Sequence, residues 1–448
     1  MHGFARKAVF FAMCVQIVLA TWLMSGTWPE FLLPMFAVSI GAYALCVIGK
    51  LLDRGGIFQA VLALAAIFFV IVCLIQYANP FAEHVVEEKF SYIAFSDYAD
   101  WLPTSVRAEF YEGNSLSSLC VLLTSFLTAL ALTAISDDRK YTFSLLAFFS
   151  LNTLLMGMFA LWQQSQGVPM PYNKFHTNSG FYGTFFLSNA AGAYLNMGVA
   201  AALACFANCI RRKGFIAKFA SILFFMASVA ISWASYRSES KGAMIMCFGI
   251  WAAVCAYFIW VVSAKIFGSK ISALAACVLG VAACAVGILH ASEHMSISDL
   301  PYDRQLGDSA RSRIEIYKAT IPIIMERPIW GGGGECSRYL LPIVRKSDGS
   351  GVAEIPDRAH SDLLEYMVDF GIVGVAVLLA CGVAWIAQII RNRRCLTAAN
   401  VICAIGALSC LAHGMFDMEL HVPSTMIAFA FMCVFSFSDF GTGSHDEI

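Results

Sequence analysis

The chain has 448 residues, of which 59% are hydrophobic and only 13% are charged, and its mean hydropathy is +0.71. Soluble domains carry about 25% charged residues, so this composition excludes a soluble globular protein and predicts a polytopic membrane protein. The formal net charge of -1 gives no indication of a nucleic-acid partner. The 16 cysteines lie almost entirely in apolar runs, which is typical of small buried hydrophobic residues rather than of a disulfide framework.

Apolar stretches along the chain predict about twelve membrane-spanning helices, because each is long enough to cross about 30 Å of hydrocarbon. The expected fold class is therefore all-α, a transmembrane helix bundle with one long polar loop that contains short helices. The predicted spans fall near residues 8–25, 31–49, 57–77, 116–135, 141–162, 186–208, 215–234, 242–262, 271–290, 363–389, 398–415 and 424–438.

Lysines and arginines fall on alternate connectors between these spans, beginning with Arg6 and Lys7 and ending with Arg391 to Arg394. Basic connectors favour the cytoplasm, so both termini are expected there. The longer polar segments 78–115 and 291–361 then lie on the extracytoplasmic side. We therefore expect the functional site on that side.

His360 lies where the long polar loop meets a membrane span. A histidine at this boundary can exchange protons and still contact a lipid-borne substrate. Asp357, Asp362 or Glu365 can orient the imidazole. The alternative is a plain helix cap, in which Ser361 or Asp362 caps the first turn and Glu365 follows.

Arg237 and Lys241 lie four residues apart on an extracytoplasmic connector, against the usual charge bias. A guanidinium with an ammonium suits a phosphate or diphosphate, and an internal salt bridge is the alternative. Arg311 and Arg313 add two cations on the same side of the membrane. The alternative for Arg311 is a solvated helix face that it shares with Glu315 and Lys318.

His413 and Asp417 stand one turn apart where a late span ends, and Glu419 and His421 follow. These residue types can bind a metal, but their spacing matches no familiar ligand pattern. The sequence therefore predicts a hydrogen-bonded helix end, with no metal and no other cofactor.

His360-Ser361, followed after nine residues by Gly371 and then by Gly374, resembles a motif of the bacterial O-antigen ligase and polymerase superfamily: His, Asn/Ser/Gln, nine residues, Gly, two residues, Gly. Four other segments resemble that family in the same order along the chain. They are Gly183 to Leu195 with Asn189, Ser240 to Ala243, Arg313 to Gly334, and His413 to Pro423. The family's Ser-Arg-Gly arginine is Lys241 here, which lacks the bidentate fork, and we hypothesise that Arg237 compensates.

The resemblance implies a GT-C-like glycosyltransferase in the bacterial inner membrane, divided into an N-terminal region 1–180, a ligase-like region 181–440 and a polar tail 441–448. It implies an undecaprenyl-diphosphate-linked glycan as donor and a glycolipid, glycan or protein as acceptor, as in lipopolysaccharide or exopolysaccharide synthesis. The reaction would be metal-independent and inverting. The implied roles are general base for His360, diphosphate binding for Arg237, Lys241, Arg311 and Arg313, and an orienting or structural place for Asp357, Asp362, Glu365, Asn189, His413 and Asp417.

Two other classes of protein fit the same sequence. A flippase or exporter of lipid-linked glycans would share the spans and the cations, although such proteins bury their charges mid-membrane. A non-catalytic partner in cell-envelope assembly would leave His360 without a chemical role.

Overall fold

The computed structural model describes residues 2–52, 56–87, 90–167, 180–267, 302–347 and 358–441. Single 3-10 turns lie at Met24–Gly26 and Glu419–His421. The helices in these ranges are α1 (His2–Trp22), α2 (Pro29–Ile48), α3 (Ile57–Ala78), α4 (Ser115–Thr133), α5 (Arg139–Gln166), α6 (Ser188–Ile210), α7 (Phe215–Arg237), α8 (Lys241–Phe267), α9 (Tyr302–Glu326), α10 (Ser337–Ser347), α11 (Asp362–Arg391), α12 (Ala398–Gly414) and α13 (Pro423–Phe435).

Within the described ranges, nine helices are long and apolar enough to cross a membrane, namely α1 to α8 and α11. Helices α12 and α13 are apolar but shorter. The prediction of a polytopic, mainly helical membrane protein is therefore confirmed. The expected span at 271–290 lies outside the described residues.

Helix α6 is the buried centre of the bundle. Its small residues allow the neighbouring helices to approach closely. A side chain at Gly192 would overlap Ala243 of α8, and one at Gly198 would overlap Thr153 of α5. Asn196 adds a polar tie, since its amide nitrogen donates to the Ala243 carbonyl at 2.8 Å. This close packing fixes the start of α8 against α6.

The segment between α3 and α4 contains strands, which the sequence reading did not predict. β1 (Pro80–Glu87) pairs antiparallel with β2 (Phe90–Phe95) and parallel with β3 (Ser105–Arg107), so the order is β2-β1-β3. Its apolar face packs with α9 and α10 in a second hydrophobic cluster, separate from the core between the spans. We call this part of the bundle the sheet end.

Helix α11 is broken at Gly371, where φ is 62° and ψ is −165°. Only glycine adopts this conformation readily. A side chain at Gly371 would also overlap the carbonyl of Ile329, and one at Gly331 would overlap the backbone of Asp369. The glycine run after α9 and the glycine of α11 are therefore in direct backbone contact.

The loop at residues 328–333 replaces the helical hydrogen bonds that the break removes. In an unbroken helix the amides of Ile372 and Val373 would donate to the carbonyls of Val368 and Asp369. Here amides of the loop donate to those two carbonyls instead. Carbonyls of the loop accept hydrogen bonds from the amides of Ile372 and Val373. The four bonds are Gly332 N to Val368 O (2.7 Å), Gly333 N to Asp369 O (3.0 Å), Ile372 N to Pro328 O (2.9 Å) and Val373 N to Ile329 O (3.3 Å).

Candidate active site

Two loops at the sheet end are joined by two pairs of carboxylate and imidazole groups. His360 and Asp362 come from the segment that leads into α11, whereas Asp417 and His421 come from the turn between α12 and α13. Nδ1 of His360 lies 3.4 Å from Oδ1 of Asp417, and Nδ1 of His421 lies 3.0 Å from Oδ1 of Asp362. The backbone amide of Asp362 also donates to the Asp417 carbonyl at 3.0 Å. Each histidine is thus oriented by an acid from the opposite loop.

Asp417 is the most heavily bonded acid of this group. Its Oδ2 accepts from Arg313 Nη2 at 3.1 Å and from the Asn189 amide, and its Oδ1 accepts from the Met418 amide at 3.0 Å. Burial alone would raise the pKa of Asp417, but the hydrogen bond and charge of His360 and the charge of Arg313 outweigh it and lower the pKa. Asp417 is therefore held as a carboxylate beside His360.

The backbone around His360 is that of a shaped loop rather than of a simple cap. His360 has a φ of +50°, and its carbonyl accepts from the Tyr317 hydroxyl of α9 at 3.0 Å. Ser361 occupies the N-cap position of α11, yet its side chain caps no helix amide. Glu365 instead bonds the Ala359 amide and the Ser337 hydroxyl. The polar residues next to His360 hold the loop, and the imidazole is left at its surface.

A cavity of about 810 Å³ opens beside His360 and His421. Its walls come from the start of α2, the end of the β-sheet segment, the residues before α6, one face of α9, and the two loops. The lining residues are Gly26, Thr27, Pro29, Leu32, Phe110, Tyr111, Gly113, Ser117, Val121, Phe186, Leu187, Ser312, Ile316, Glu335, Arg338, Arg358, His360, Met418, His421, Val422 and Pro423.

Arg358 and Arg338 are the cations that line this cavity, and the sequence reading did not select either as a site residue. Both guanidinium groups face Glu335, with Nη2 of Arg338 3.7 Å from Oε2 of Glu335 and Arg358 closer. Burial would raise the pKa of Glu335, but the two arginines lower it. Both guanidinium groups thus keep Glu335 ionised at the wall of the cavity.

The predicted cations lie in different places. Arg313 lies near His360, because both side chains contact the carboxylate of Asp417. Arg237 is exposed at the end of α7, and neither it nor Lys241 lines the cavity. Lys241 precedes Gly242, which packs directly against the His413 ring. Arg311 lies within α9 and Asp357 precedes Arg358, but the Arg311 side chain and all of Asp357 are outside the described residues.

His413, Asp417 and Glu419 form a buried group whose ligand-type atoms all lie within 4.8 Å of one another. Nδ1 of His413 is 3.2 Å from Oε1 of Glu419. Such a donor set can hold a cation, but Asp417 is already bonded by Arg313, whose positive charge opposes a metal. Burial and the charges of Asp417 and Asp362 raise the pKa of Glu419 well above its usual value. Both effects favour the protonated form of Glu419, which is a poorer metal ligand than the carboxylate.

A second, apolar cavity of about 280 Å³ lies between α3, α4, α11, α12 and α13. It begins at Asp362 and Leu420, next to the histidine–carboxylate pairs, and continues along α11 as far as Trp385. Since α11 rises about 1.5 Å per residue, the cavity runs along most of the depth of a membrane. The residues that line this cavity therefore extend from the membrane-spanning part of α11 to Asp362, which pairs with His421.

Residues 226–379 match the family model described as O-antigen ligase, and this segment includes His360, Arg313 and Lys241 but not Asn189, His413 or Asp417. No curated protein matches the chain. Residues 226–379 therefore match an O-antigen ligase domain of the O-antigen ligase and polymerase superfamily.

Proposed function

We propose that this protein transfers a glycan from an undecaprenyl-diphosphate donor to an acceptor hydroxyl, as a ligase or polymerase of surface polysaccharide. The observation that carries the proposal is His360, oriented by Asp417 at the wall of a polar cavity that adjoins an apolar one. We place the reaction on the extracytoplasmic face of the bacterial inner membrane. Arg6, Arg139, Arg212 and Arg391 support this placement, because they lie at helix ends remote from the sheet end.

His360 acts as the general base in this proposal. With Nδ1 directed at the Asp417 carboxylate, Nε2 is free to accept a proton. The acceptor hydroxyl oxygen attacks the anomeric carbon and gives its proton to Nε2. The bond from that carbon to the diphosphate oxygen breaks, and the diphosphate leaves with the electron pair. A single displacement of this kind inverts the anomeric configuration.

Positive charge near His360 stabilises the leaving diphosphate. Arg313 lies beside the pair of His360 and Asp417, and Arg358 and Arg338 line the cavity. Because the charge develops in a partly buried site, fixed guanidinium groups lower the barrier more than they would in water. Arg237 and Lys241 remain proposed diphosphate contacts, and Arg311 is proposed with them.

The apolar cavity along α11 receives the part of the isoprenoid chain nearest to the diphosphate of the donor. Its walls are almost wholly hydrocarbon, and it ends at Asp362 and Leu420 near the histidines. A lipid held there would present its diphosphate at the edge of the polar cavity while its chain stays out of water.

The test is transfer by the purified full-length protein with a lipid-linked glycan donor and an acceptor. His360→Ala should lose transfer by at least about a hundredfold, the usual contribution of a general base, while its thermal unfolding stays close to that of the wild type. Lys318→Ala, an exposed change on α9, should retain wild-type turnover. Full turnover by His360→Ala, transport of the donor without transfer, or a retained anomeric configuration by NMR would each contradict the proposal.

A further inference from the structure

Two aromatic residues outside the O-antigen ligase domain form part of the wall of the polar cavity. Phe110 and Tyr111 follow β3, and both line the cavity that contains His360. Tyr111 is 68% exposed, and the two rings meet edge to face with centroids 6.3 Å apart. Their position on a cavity wall, rather than on the lipid-facing surface, requires an explanation.

The backbone that carries these rings is fixed to α4 and to α10. Asn114 caps α4 by accepting from the Leu116 and Ser117 amides, and its amide nitrogen donates to the Ala108 carbonyl at 2.9 Å. From the other side, Tyr339 of α10 donates to the Gly113 carbonyl at 2.7 Å. Binding to a segment whose backbone is already held in place costs less conformational entropy than ordering a free loop, which is a property of preorganised sites.

Other exposed aromatic residues of the same segment differ from Tyr111 in their surroundings. Phe95 is 79% exposed and Trp101 is 74% exposed, but neither lines the cavity. Such residues suit the interface between membrane and water, where aromatic side chains gather. Tyr111 instead shares its cavity with the charged groups of Glu335 and Arg338.

We propose that Phe110 and Tyr111 form a subsite for a pyranose ring of the glycan substrate; the inference rests on the proposed function. A pyranose has an apolar face of C–H groups, which packs on an aromatic ring, and a rim of hydroxyls, which bond charged and amide groups. The tyrosine and phenylalanine rings supply the first surface. Glu335, Arg338 and Arg358 supply the second, at the same cavity.

This subsite gives the N-terminal half of the chain a part in substrate choice. The proposed base, His360, lies within residues 226–379, whereas the pyranose platform lies at residues 110 and 111, outside the matched family segment. Proteins that share the catalytic domain can therefore select different glycans through the loop between α3 and α4.

The experiment uses the full-length protein and compares Tyr111→Ala, Tyr111→Phe and the matched control Trp101→Ala. Tyr111→Ala should raise the KM of one glycan substrate about fivefold, as the loss of one aromatic contact implies, with kcat little changed. Tyr111→Phe should restore the KM, and Trp101→Ala should leave it at the wild-type value. Whether the KM of the donor or of the acceptor changes identifies which sugar occupies the subsite.

Binding measured without turnover separates this inference from the proposed function. The probe is the oligosaccharide that mild acid releases from the producing strain's lipid-linked pool, and saturation-transfer NMR with His360→Ala protein reports its bound protons. If the wild type transfers the glycan, and if Tyr111→Ala leaves both the KM values and the NMR signals of the probe unchanged, the subsite is overturned. The proposed function would then remain intact. A wild type that neither transfers nor binds the probe would overturn both, whereas binding without transfer would overturn the function alone.

Discussion

Asp417 and His360 are 57 residues apart in the chain, yet Oδ1 of the first lies 3.4 Å from Nδ1 of the second. The contact exists because the turn after α12 packs against the start of α11, where the Asp362 amide donates to the Asp417 carbonyl. Arg313 and Asn189 complete the surroundings of the carboxylate. The position of the imidazole is thus set by groups from four separate parts of the chain.

Asp417→Asn should lower kcat by about a hundredfold, since an amide no longer holds the proton on Nδ1 nor stabilises the imidazolium. The KM of either substrate should change much less, because Asp417 is buried behind the imidazole. Steady-state kinetics check this expectation. In the double variant with His360→Ala the two losses should not add, and full additivity would show that Asp417 acts independently of His360.

Glu419→Gln should raise the melting temperature, and the gain should grow as the pH rises from 5 to 8. The folded-state pKa of Glu419 is raised by burial and by the charges of Asp417 and Asp362. Folding therefore favours the protonated acid, and the stability that this contributes is lost as the pH rises above the unfolded pKa of about 4.3. Thermal unfolding in detergent at several pH values measures the effect. A loss of stability at every pH would mean that Glu419 is needed as a charged group.

Removal of divalent cations with a chelator should leave transfer unchanged. His413, Asp417 and Glu419 are close enough to hold a cation, but Arg313 already neutralises Asp417. Activity before and after dialysis against EDTA is the measurement. Loss of activity that returns with added Mg²⁺, Mn²⁺ or Zn²⁺ would instead assign a metal to these three residues.

Gly371→Ala should destabilise the protein by about 2–4 kcal/mol or prevent its accumulation, because the backbone conformation at this position suits only glycine. The new methyl group would also overlap the Ile329 carbonyl. Gly41→Ala in α2 is the control. No neighbouring residue lies within 4 Å of the position that an added β-carbon would occupy, and alanine favours a helix. Equal melting temperatures for the two variants would contradict the close contact between α11 and the glycine loop.

Ala129→Phe should impair use of the long-chain donor and spare a short-chain prenyl diphosphate donor. Ala129 lines the apolar cavity between α4 and α11, and a phenyl ring would fill part of its 280 Å³. The KM of the undecaprenyl donor should rise about tenfold if the isoprenoid lies there. Ala60→Phe, on the exposed side of α3, is the control. Equal effects on both donors would exclude the cavity as the isoprenoid site.

Hydropathy predicted the helices well because a membrane-spanning helix needs only length and apolar composition, which are local properties. The sheet between α3 and α4 was missed because its strands are short and mixed in character. β1, for example, combines the buried Phe81 and Ala82 with the exposed Val86. Such a pattern resembles a polar loop until its partners are known.

The pairing of Asp417 with His360, and of His421 with Asp362, had no local signal. The sequence offered Asp357, Asp362 or Glu365 to orient His360. In the structure Asp362 bonds His421 and Glu365 bonds the Ala359 amide, and Asp357 lies outside the described residues. Gly371 stood out in the sequence only as part of the motif that follows His360, and the structure shows that the helix is broken there. Long-range pairings of this kind depend on how the spans assemble, which one sequence does not report.

The exchange of hydrogen bonds around Gly371 also limits how substrates reach His360. The loop at residues 328–333 completes α11, so lifting it would expose several unpaired amides and carbonyls at the membrane boundary. That loop therefore does not open as a lid. We therefore propose that a lipid-linked donor enters sideways from the bilayer, along α11, whereas a water-soluble or surface-bound partner approaches over the cavity wall that contains Phe110, Tyr111 and Gly113.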